Sequence, residues 1–500
     1  MDVLNSLLLG FEIVFIPSNL LLCFLGVLAG TLVGVLPGLG PVGAISLLLP
    51  LTFGMTDVGS IILLAGIFYG CMYGGSTTSI LVNVPGEPAS IVTCLDGYQM
   101  ALAGRAGPAL GISAFGSFIA GTFGVILLML ISPPLAEFAL KFGPPECFAL
   151  ILLGLTLLPY LSSGSVIKGL MMAVFGLLIS TVGVDVISGL PRFAFGILYL
   201  EDGFPFVPLV MGFFGIGEVL TNVDLQLKGR EIFKTHIGGI LPNKKDWKES
   251  AGPIIRGSVL GFFLGILPGG GGALSSFVSY AIEKRVSKHP EKFGTGAIEG
   301  VAGPESANNA GAMGSFIPLL TLGIPFNAVT AILLAGFMIH GIIPNPLLIK
   351  NRPDMFWGLV ASMYVGNILL LILNLPLIRI WIKLLSIPYV FLFPVISLLC
   401  LIGAYTLNNN VYDLYLMIIF GIIGYVFRKF KFEGAPLILA LILGKMFEDT
   451  LRQSLIMSAG DFRIFIEKPI AAFFVLASAF VIIIAFIKKR KWEGYREEKN

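Results

Sequence analysis

Charge is scarce in this sequence, and the scarcity excludes most of what a chain of 500 residues could be. Only 12% of residues are Asp, Glu, Lys or Arg, about half the share of roughly 25% in soluble domains. The deficit spans the chain, which rules out a soluble reading with two or three domains. Net charge is +3, too small to point to nucleic acid as a partner. The three histidines, His236, His289 and His340, lie far apart and form no HExxH. The five cysteines, Cys23, Cys71, Cys94, Cys147 and Cys400, include no CxxC pair. Neither a zinc site nor a disulfide framework is supported, and a membrane enzyme would lack its usual clustered side chains. An outer-membrane barrel is excluded as well, since its strands alternate apolar and polar over about ten residues. Met1 to Glu12 carries acids but no Lys or Arg. It lacks the basic flank of a cleaved signal peptide, so its apolar segment is expected to stay as the first membrane helix.

Apolar residues fill the space that charge leaves. They make up 56% of the chain, mean hydropathy is +0.93, and long apolar runs recur from Leu20 to Ile487. A spanning helix takes about 20 apolar residues, so roughly ten to twelve crossings fit. The expected fold class is an all-α polytopic membrane protein with two internal repeats containing broken helices or re-entrant hairpins. Residues 1–221 form the first repeat half and 222–253 a basic loop; 254–382 form the second half. C-terminal membrane helices over 383–487 and a basic tail over 488–500 complete the division. Lys and Arg set orientation. Lys228, Arg230, Lys234, Lys244, Lys245 and Lys248 in the loop, and Lys488 to Lys491 in the tail, put the loop and the C-terminus in the cytoplasm.

Glycine is the outlier, 62 residues of 500, against a usual share of about 7%. Its clusters reveal the repeat. Gly30, Gly34, Pro37, Gly38 and Gly40 recur in register as Gly261, Gly265, Pro268, Gly269 and Gly271. Further on, Gly75-Ser76 leading to Pro85 recurs as Gly314-Ser315 leading to Pro325. Two halves, each with two breaks in the same order, are the pattern of transporters built from structural repeats.

The breaks matter because irregular backbone at membrane depth survives only inside protein or around a watery cavity. Proline removes a donor, and the glycines after it let the chain turn. Each break therefore ends one half-helix and begins another, and the second is expected to fold as a re-entrant hairpin. A half-helix N-terminus presents free amides and partial positive charge to an anion. Backbone candidates for such a site are Gly38, Gly40, Pro41, Pro85, Gly86, Gly269, Gly270, Gly271 and Gly272. Side-chain candidates are Ser76, Thr77, Thr78, Ser79, Asn83, Ser306, Asn308, Asn309 and Asn327. The hydroxyls of 76–79 could instead bond back to their own helix. Glu87 and Glu305 stand inside the motifs as possible sodium ligands, since an intramembrane carboxylate marks an ion or proton path; the other reading makes them helix caps or interfacial acids. Asp96, Asp185 and Glu218 are read as interfacial or paired. Arg105 and Arg256 are the nearest basic helpers, and His340 is read as hydrogen-bonded structure.

The stretches GTLVGVLPGLGP (30–41), YGGSTTSILVNVPGEPAS (73–90), GILPGGGGALSSFVSYAIEK (265–284) and GVAGPESANNAGAMGSFIPLLTLGIP (300–325) resemble the large membrane subunit of the tripartite tricarboxylate transporter family. The resemblance implies a permease and not an enzyme: a secondary transporter importing citrate-like tricarboxylates or related carboxylates across a cytoplasmic membrane by cation symport. It implies no cofactor beyond the coupling ion, with sodium favoured because most candidate oxygens are neutral and cannot titrate. Its implied partners are a small membrane subunit and an extracytoplasmic solute-binding protein. By motif, positions 38–41, 76–79, 85–88, 269–272 and 305–309 would build the substrate and cation site. A proton-coupled carboxylate transporter and a passive anion channel stay open beside this reading.

Overall fold

The computed structural model describes residues 3–36, 40–161, 165–185, 187–226, 239–385 and 389–497. Gly38, and the loop cations Lys228, Arg230 and Lys234, lie outside the described residues. Helix dominates throughout. By length and composition, six helices among the described residues suit a membrane crossing: Pro17–Val35, Asp57–Val82, Ala106–Ala139, Phe206–Asp224, Pro353–Asn374 and Val411–Lys429. Other apolar stretches form shorter helices, several of them cut at the glycine–proline breaks. The chain is a multi-pass, all-α membrane protein.

Contacts divide the chain into two units, and the repeats lie in the one formed by 1–136 and 205–431. In the first half, α1 (Pro17–Val35) stops before the break, and α2 (Gly40–Leu48), α3 (Asp57–Val82) and α4 (Ile91–Leu102) follow. Next comes α5 (Ala106–Ala139). The second half repeats the order with α6 (Lys244–Ile266), α7 (Gly272–Val286), α8 (Glu299–Leu322) and α9 (Ala328–Ile339), followed by α10 (Pro353–Asn374).

The shared glycines have a packing reason. A Cβ on Gly26, Gly30 or Gly34 of α1 would sit 2.5, 2.4 or 2.5 Å from the carbonyl oxygens of Leu63, Ile67 and Cys71 on α3. On α6, a Cβ at Gly257, Gly261 or Gly265 would meet the carbonyls of Gly303, Ala307 and Gly311 on α8 at 2.3, 2.2 and 2.2 Å. Small residues four apart let helix backbones touch where lipid supplies no hydrophobic drive. The sequence repeat is thus a repeat of two helix pairs, α1–α3 and α6–α8, each packed backbone to backbone.

The hydrophilic stretch 222–253 is not all loop. A helix ends at Gln226, and α6 starts at Lys244, so its polar first turns occupy residues read from composition as connection. Asn243 caps α6 by accepting from the amides of Lys245 and Asp246, while Asp246 accepts from the Asn243 amide. Such a box satisfies orphan amides whatever the polarity behind it. α7 then folds back along α6: Ser275, seven residues past Pro268, donates to the carbonyl of Gly261, seven before it, at 3.3 Å. The expected hairpin geometry of this break is present.

The second unit comprises 137–204 and 432–500. Helix Val166–Ser180 packs on Ala435–Met457, with Gly176 against the Leu437 carbonyl. A two-stranded antiparallel ladder, β1 (Gly183–Val184) with β2 (Pro191–Arg192), is a small exception to the all-helical plan. Asp185 turns it, accepting from the amides of Ile187 and Ser188 and pairing with Arg452.

Candidate functional site

Both second breaks end a helix and start the next in the same way. α3 closes on Asn83 (φ 56°) and α8 on Gly323 (φ 69°), each in the left-handed conformation. The chain then extends through Pro85-Gly86-Glu87 or Pro325-Phe326-Asn327 into a capping box. Glu87 accepts from the Ala89 amide at 2.9 Å, and the Glu87 amide donates to Ser90 Oγ. Asn327 accepts from the Thr330 amide at 2.9 Å, and its own amide donates to Thr330 Oγ1. The boxes share their cap and third-residue positions, with Glu87 accepting from the second amide of its helix and Asn327 from the third; one holds an acid, the other a neutral amide.

The tips of the first breaks meet these caps. Gly40 (φ 57°) opens α2, and Gly271 (φ 101°) precedes α7; both need a residue without Cβ. A Cβ on Gly40 would lie 4.0 Å from Glu87 Cβ, and one on Gly271 would lie 3.1 Å from Asn327 Nδ2. The Gly269 amide donates to the Phe326 carbonyl at 2.7 Å. The halves join at Asn308 of α8, whose Nδ2 donates to Glu87 Oε1 at 2.9 Å. Its Oδ1 sits 2.1 Å from where a Cβ on Gly272 would be, beside Ala89. Four half-helix starts, at Gly40, Pro88, Gly272 and Ala328, are therefore linked through Glu87, Asn308 and Asn327.

Glu305 lies deeper, 1% exposed, and Glu87 is 5% exposed. Ser76 Oγ donates to Glu305 Oε2 at 2.5 Å, and the Thr93 hydroxyl donates to Oε1. Among the described residues neither carboxylate has an ion-pair partner. Buried charge without a partner is costly, by several kcal/mol per ion after relaxation. On the same stretch of α8, Ser306 Oγ, Asn308 Oδ1 and Asn309 Oδ1 are buried without a hydrogen-bond partner among the described residues. No group of three or more His, Cys, Asp or Glu among the described residues could hold a metal ion. A cation here would have to be held by mixed oxygens around a single acid.

The other candidates divide. Thr78 and Ser79 donate to the carbonyl of Gly75, at 3.0 and 2.9 Å, so their hydroxyls close on their own helix. Thr77 and Pro41 are buried; Asn83 is exposed as the cap of α3; Pro85, Gly269 and Gly270 are half-buried. Gly86 is wedged against the Gly34 carbonyl and Gly75 Cα, where a Cβ would come to 2.3 and 2.5 Å. The two basic helpers are committed elsewhere: Arg105 pairs with Asp246, and Arg256 with Glu283 at 2.5 Å. Glu218 pairs with Arg428, and His340 Nε2 lies 3.0 Å from Thr52 Oγ1.

Asp96 does more than composition suggested. Its Oδ1 accepts from the amides of Gly294, Gly296 and Ala297, each at 2.8 Å, and its Oδ2 accepts from Tyr280 at 2.9 Å. This α4 acid fixes the chain entering α8, holding Glu305 and Asn308 level with the breaks of the first half. A lone acid eight residues past Pro88 was its only signal in the sequence.

A family model described as the tripartite tricarboxylate transporter TctA family matches residues 20–439. An uncharacterized 52.8 kDa protein of Agrobacterium vitis, from the TAR-I ttuC' 3' region, is 51% identical over 487 residues, 97% of each chain. A second Agrobacterium vitis protein, from the TAR-II ttuC' 3' region, is 52% identical over 227 residues, covering 45% of this chain and 94% of its own. No solved structure matches.

Proposed function

The chain belongs to the tripartite tricarboxylate transporter TctA family, and from that premise we propose that it is the large permease subunit of a binding-protein-dependent importer. Its cargo is a citrate-like tricarboxylate or a related carboxylate, and its coupling is cation symport, with sodium favoured. It works in the cytoplasmic membrane beside a small membrane subunit and an extracytoplasmic binding protein, with 222–253 and the C-terminus on the cytoplasmic side.

One observation carries this reading: four half-helix starts converge around Glu87, with Glu305 deeper on α8, and neither carboxylate has a basic partner among the described residues. Amides at such starts, with the helix dipole behind them, favour an anion without any Lys or Arg. The carboxylates Glu87 and Glu305 repel that anion unless cations enter with it. Coupling follows from charge. Moving an anion against an inside-negative potential costs about 2.3 kcal/mol per charge per 100 mV, so cations outnumbering the anionic charges make uptake favourable. Proton coupling is the second reading, and the two hydroxyls around Glu305 are compatible with it, because either can turn to accept from the protonated acid. A passive anion channel would need no coupling ion.

Uptake of a labelled carboxylate into proteoliposomes holding both membrane subunits and the binding protein tests the proposal. Accumulation that collapses when the sodium gradient is removed is the expected result. Collapse only with the proton gradient selects the second reading, and flux indifferent to every cation gradient refutes symport.

A further inference from the structure

Most buried helical serines in this protein satisfy their hydroxyl on the carbonyl one turn back. Ser46, Ser79, Ser258 and Ser454 donate to residue i−4 at 2.6 to 2.9 Å. Ser306 does not. Its Oγ is fully buried, bonds neither to Ala302 O nor to any other group among the described residues, and faces Gly116 of α5, where a Cβ would come to 2.9 Å. One turn on, Asn309 is 1% exposed, and its Nδ2 donates to Ser117 Oγ at 2.7 Å and to the Glu305 carbonyl at 3.0 Å. A carbonyl can only accept, so the carboxamide is fixed in this sense and Oδ1 is left unpartnered among the described residues. Two acceptor oxygens with open lone pairs thus lie on successive turns of α8 that face α5. The Glu305 carboxylate lies on the same stretch, without a countercharge among the described residues.

Unsatisfied buried polar atoms are rare and call for a water or an ion. A water offers two protons and would suit the acceptors, but it leaves the charge of Glu305 uncompensated. A hard cation answers both, because it takes oxygen ligands only. The geometry points to a sodium-sized monovalent cation site between α5 and α8, made by Ser306 Oγ, Asn309 Oδ1, Ala302 O and Ser117 Oγ, with Glu305 as countercharge. The inference rests on the cation-symport reading and adds α5 to the binding machinery: Ser117 as a ligand, and Gly116 as the residue whose missing side chain leaves the space. The site is separate from the break tips, so cation and carboxylate need not compete for the same amides.

The test uses the purified full chain in detergent, without carboxylate. Its thermal midpoint is titrated with sodium chloride, replaced by choline or potassium chloride at constant ionic strength; a ligand that binds the folded state raises the midpoint by mass action. The wild type is expected to be stabilised by sodium and not by choline. Ser306→Ala, which removes a ligand, and Gly116→Ala, which fills the space, should each raise the half-saturating sodium concentration roughly tenfold or more. Ser132→Ala removes another unpartnered buried hydroxyl of α5 and should titrate as wild type. A flat wild-type sodium titration, or wild-type affinity in either Ser306→Ala or Gly116→Ala, overturns the site. Sodium-driven uptake that persists in those variants leaves symport standing without this site. Wild-type uptake blind to all cation gradients removes the symport reading itself.

Discussion

Replacing Gly272 by Ala probes the meeting point of the two halves with the smallest possible change. The added Cβ would lie 2.1 Å from Asn308 Oδ1 and 3.3 Å from Ala89 Cβ. Ordinary contact begins near 3.4 Å, so one side must retreat by 3.4 − 2.1 = 1.3 Å. Either the α7 tip moves, an overpacking cost of about 1–3 kcal/mol, or Asn308 swings away and gives up its 2.9 Å bond to Glu87. Hydrogen bonds to charged groups contribute about 1.5–3 kcal/mol. Both routes end in the same range, and both disturb the amides of the α7 start. If that disturbance falls on the bound state, affinity drops roughly 5- to 150-fold, at tenfold per 1.4 kcal/mol. The assay is the KM for labelled carboxylate in proteoliposomes, with Gly239→Ala as control because nothing lies within 4 Å of its added methyl. Wild-type KM and maximal rate in a folded Gly272→Ala protein would refute the assignment of the α7 start to the substrate site.

Asn327→Asp makes the second capping box like the first. A carboxylate at a helix start stabilises it by about 0.3–1 kcal/mol, so the thermal midpoint should hold or rise while carboxylate uptake falls; unchanged uptake would show that the α9 start does not see the anion. Glu305→Gln keeps the size, removes the charge and turns one accepting oxygen into a donor that a hydroxyl can rotate to meet; it should abolish or strongly weaken the cation dependence of uptake, and unaltered dependence would take Glu305 out of the coupling site. Gly261→Val places atoms where the Ala307 carbonyl already lies 2.2 Å from the first added carbon. It should destabilise the α6–α8 pair by about 1–3 kcal/mol or more, read as a lowered midpoint in detergent. In the second unit, the amides of Ser188 and Ile187, and then Arg452, hold the Asp185 carboxyl down to about 2. A depressed folded value means stability present above the ordinary aspartate range near 4 and lost as pH falls through about 2. Asp185→Asn should flatten that acid limb of the melting profile, and an unchanged limb would count against the turn.

The breaks and the glycine registers were legible in the sequence because they record backbone geometry. Gly30/Gly34 and Gly261/Gly265 sit where helices touch through their main chains, and only glycine fits. Glu87 and Asn327 stood at matching places after their prolines, so the paired break tips could be read without coordinates. Partnerships between distant residues could not. The ion pairs that occupy Arg105 and Arg256 leave no periodic trace, nor do the bonds of Asp96 to Gly294, Gly296 and Ala297. The start of α6 was hidden for another reason. Its first turns are polar, and composition reads polar residues as connection, whereas the capping box at Asn243 and Asp246 depends on three-residue spacing and not on hydropathy. Gly116 and Ser117 look like ordinary small residues of a membrane helix. Only the packing of α5 on α8 gives them a polar neighbour.

The central claim is that the converging half-helix starts of the two repeats receive a carboxylate. Its most direct test is an experimental structure of the subunit with a tricarboxylate bound in the presence of sodium. The account predicts carboxylate oxygens within hydrogen-bond distance, about 2.7–3.2 Å, of main-chain amides at the starts of α7 or α9, beside Gly272 or Ala328. A tricarboxylate seated instead on side-chain cations such as Arg192 and Arg452, with those amides untouched, would contradict it.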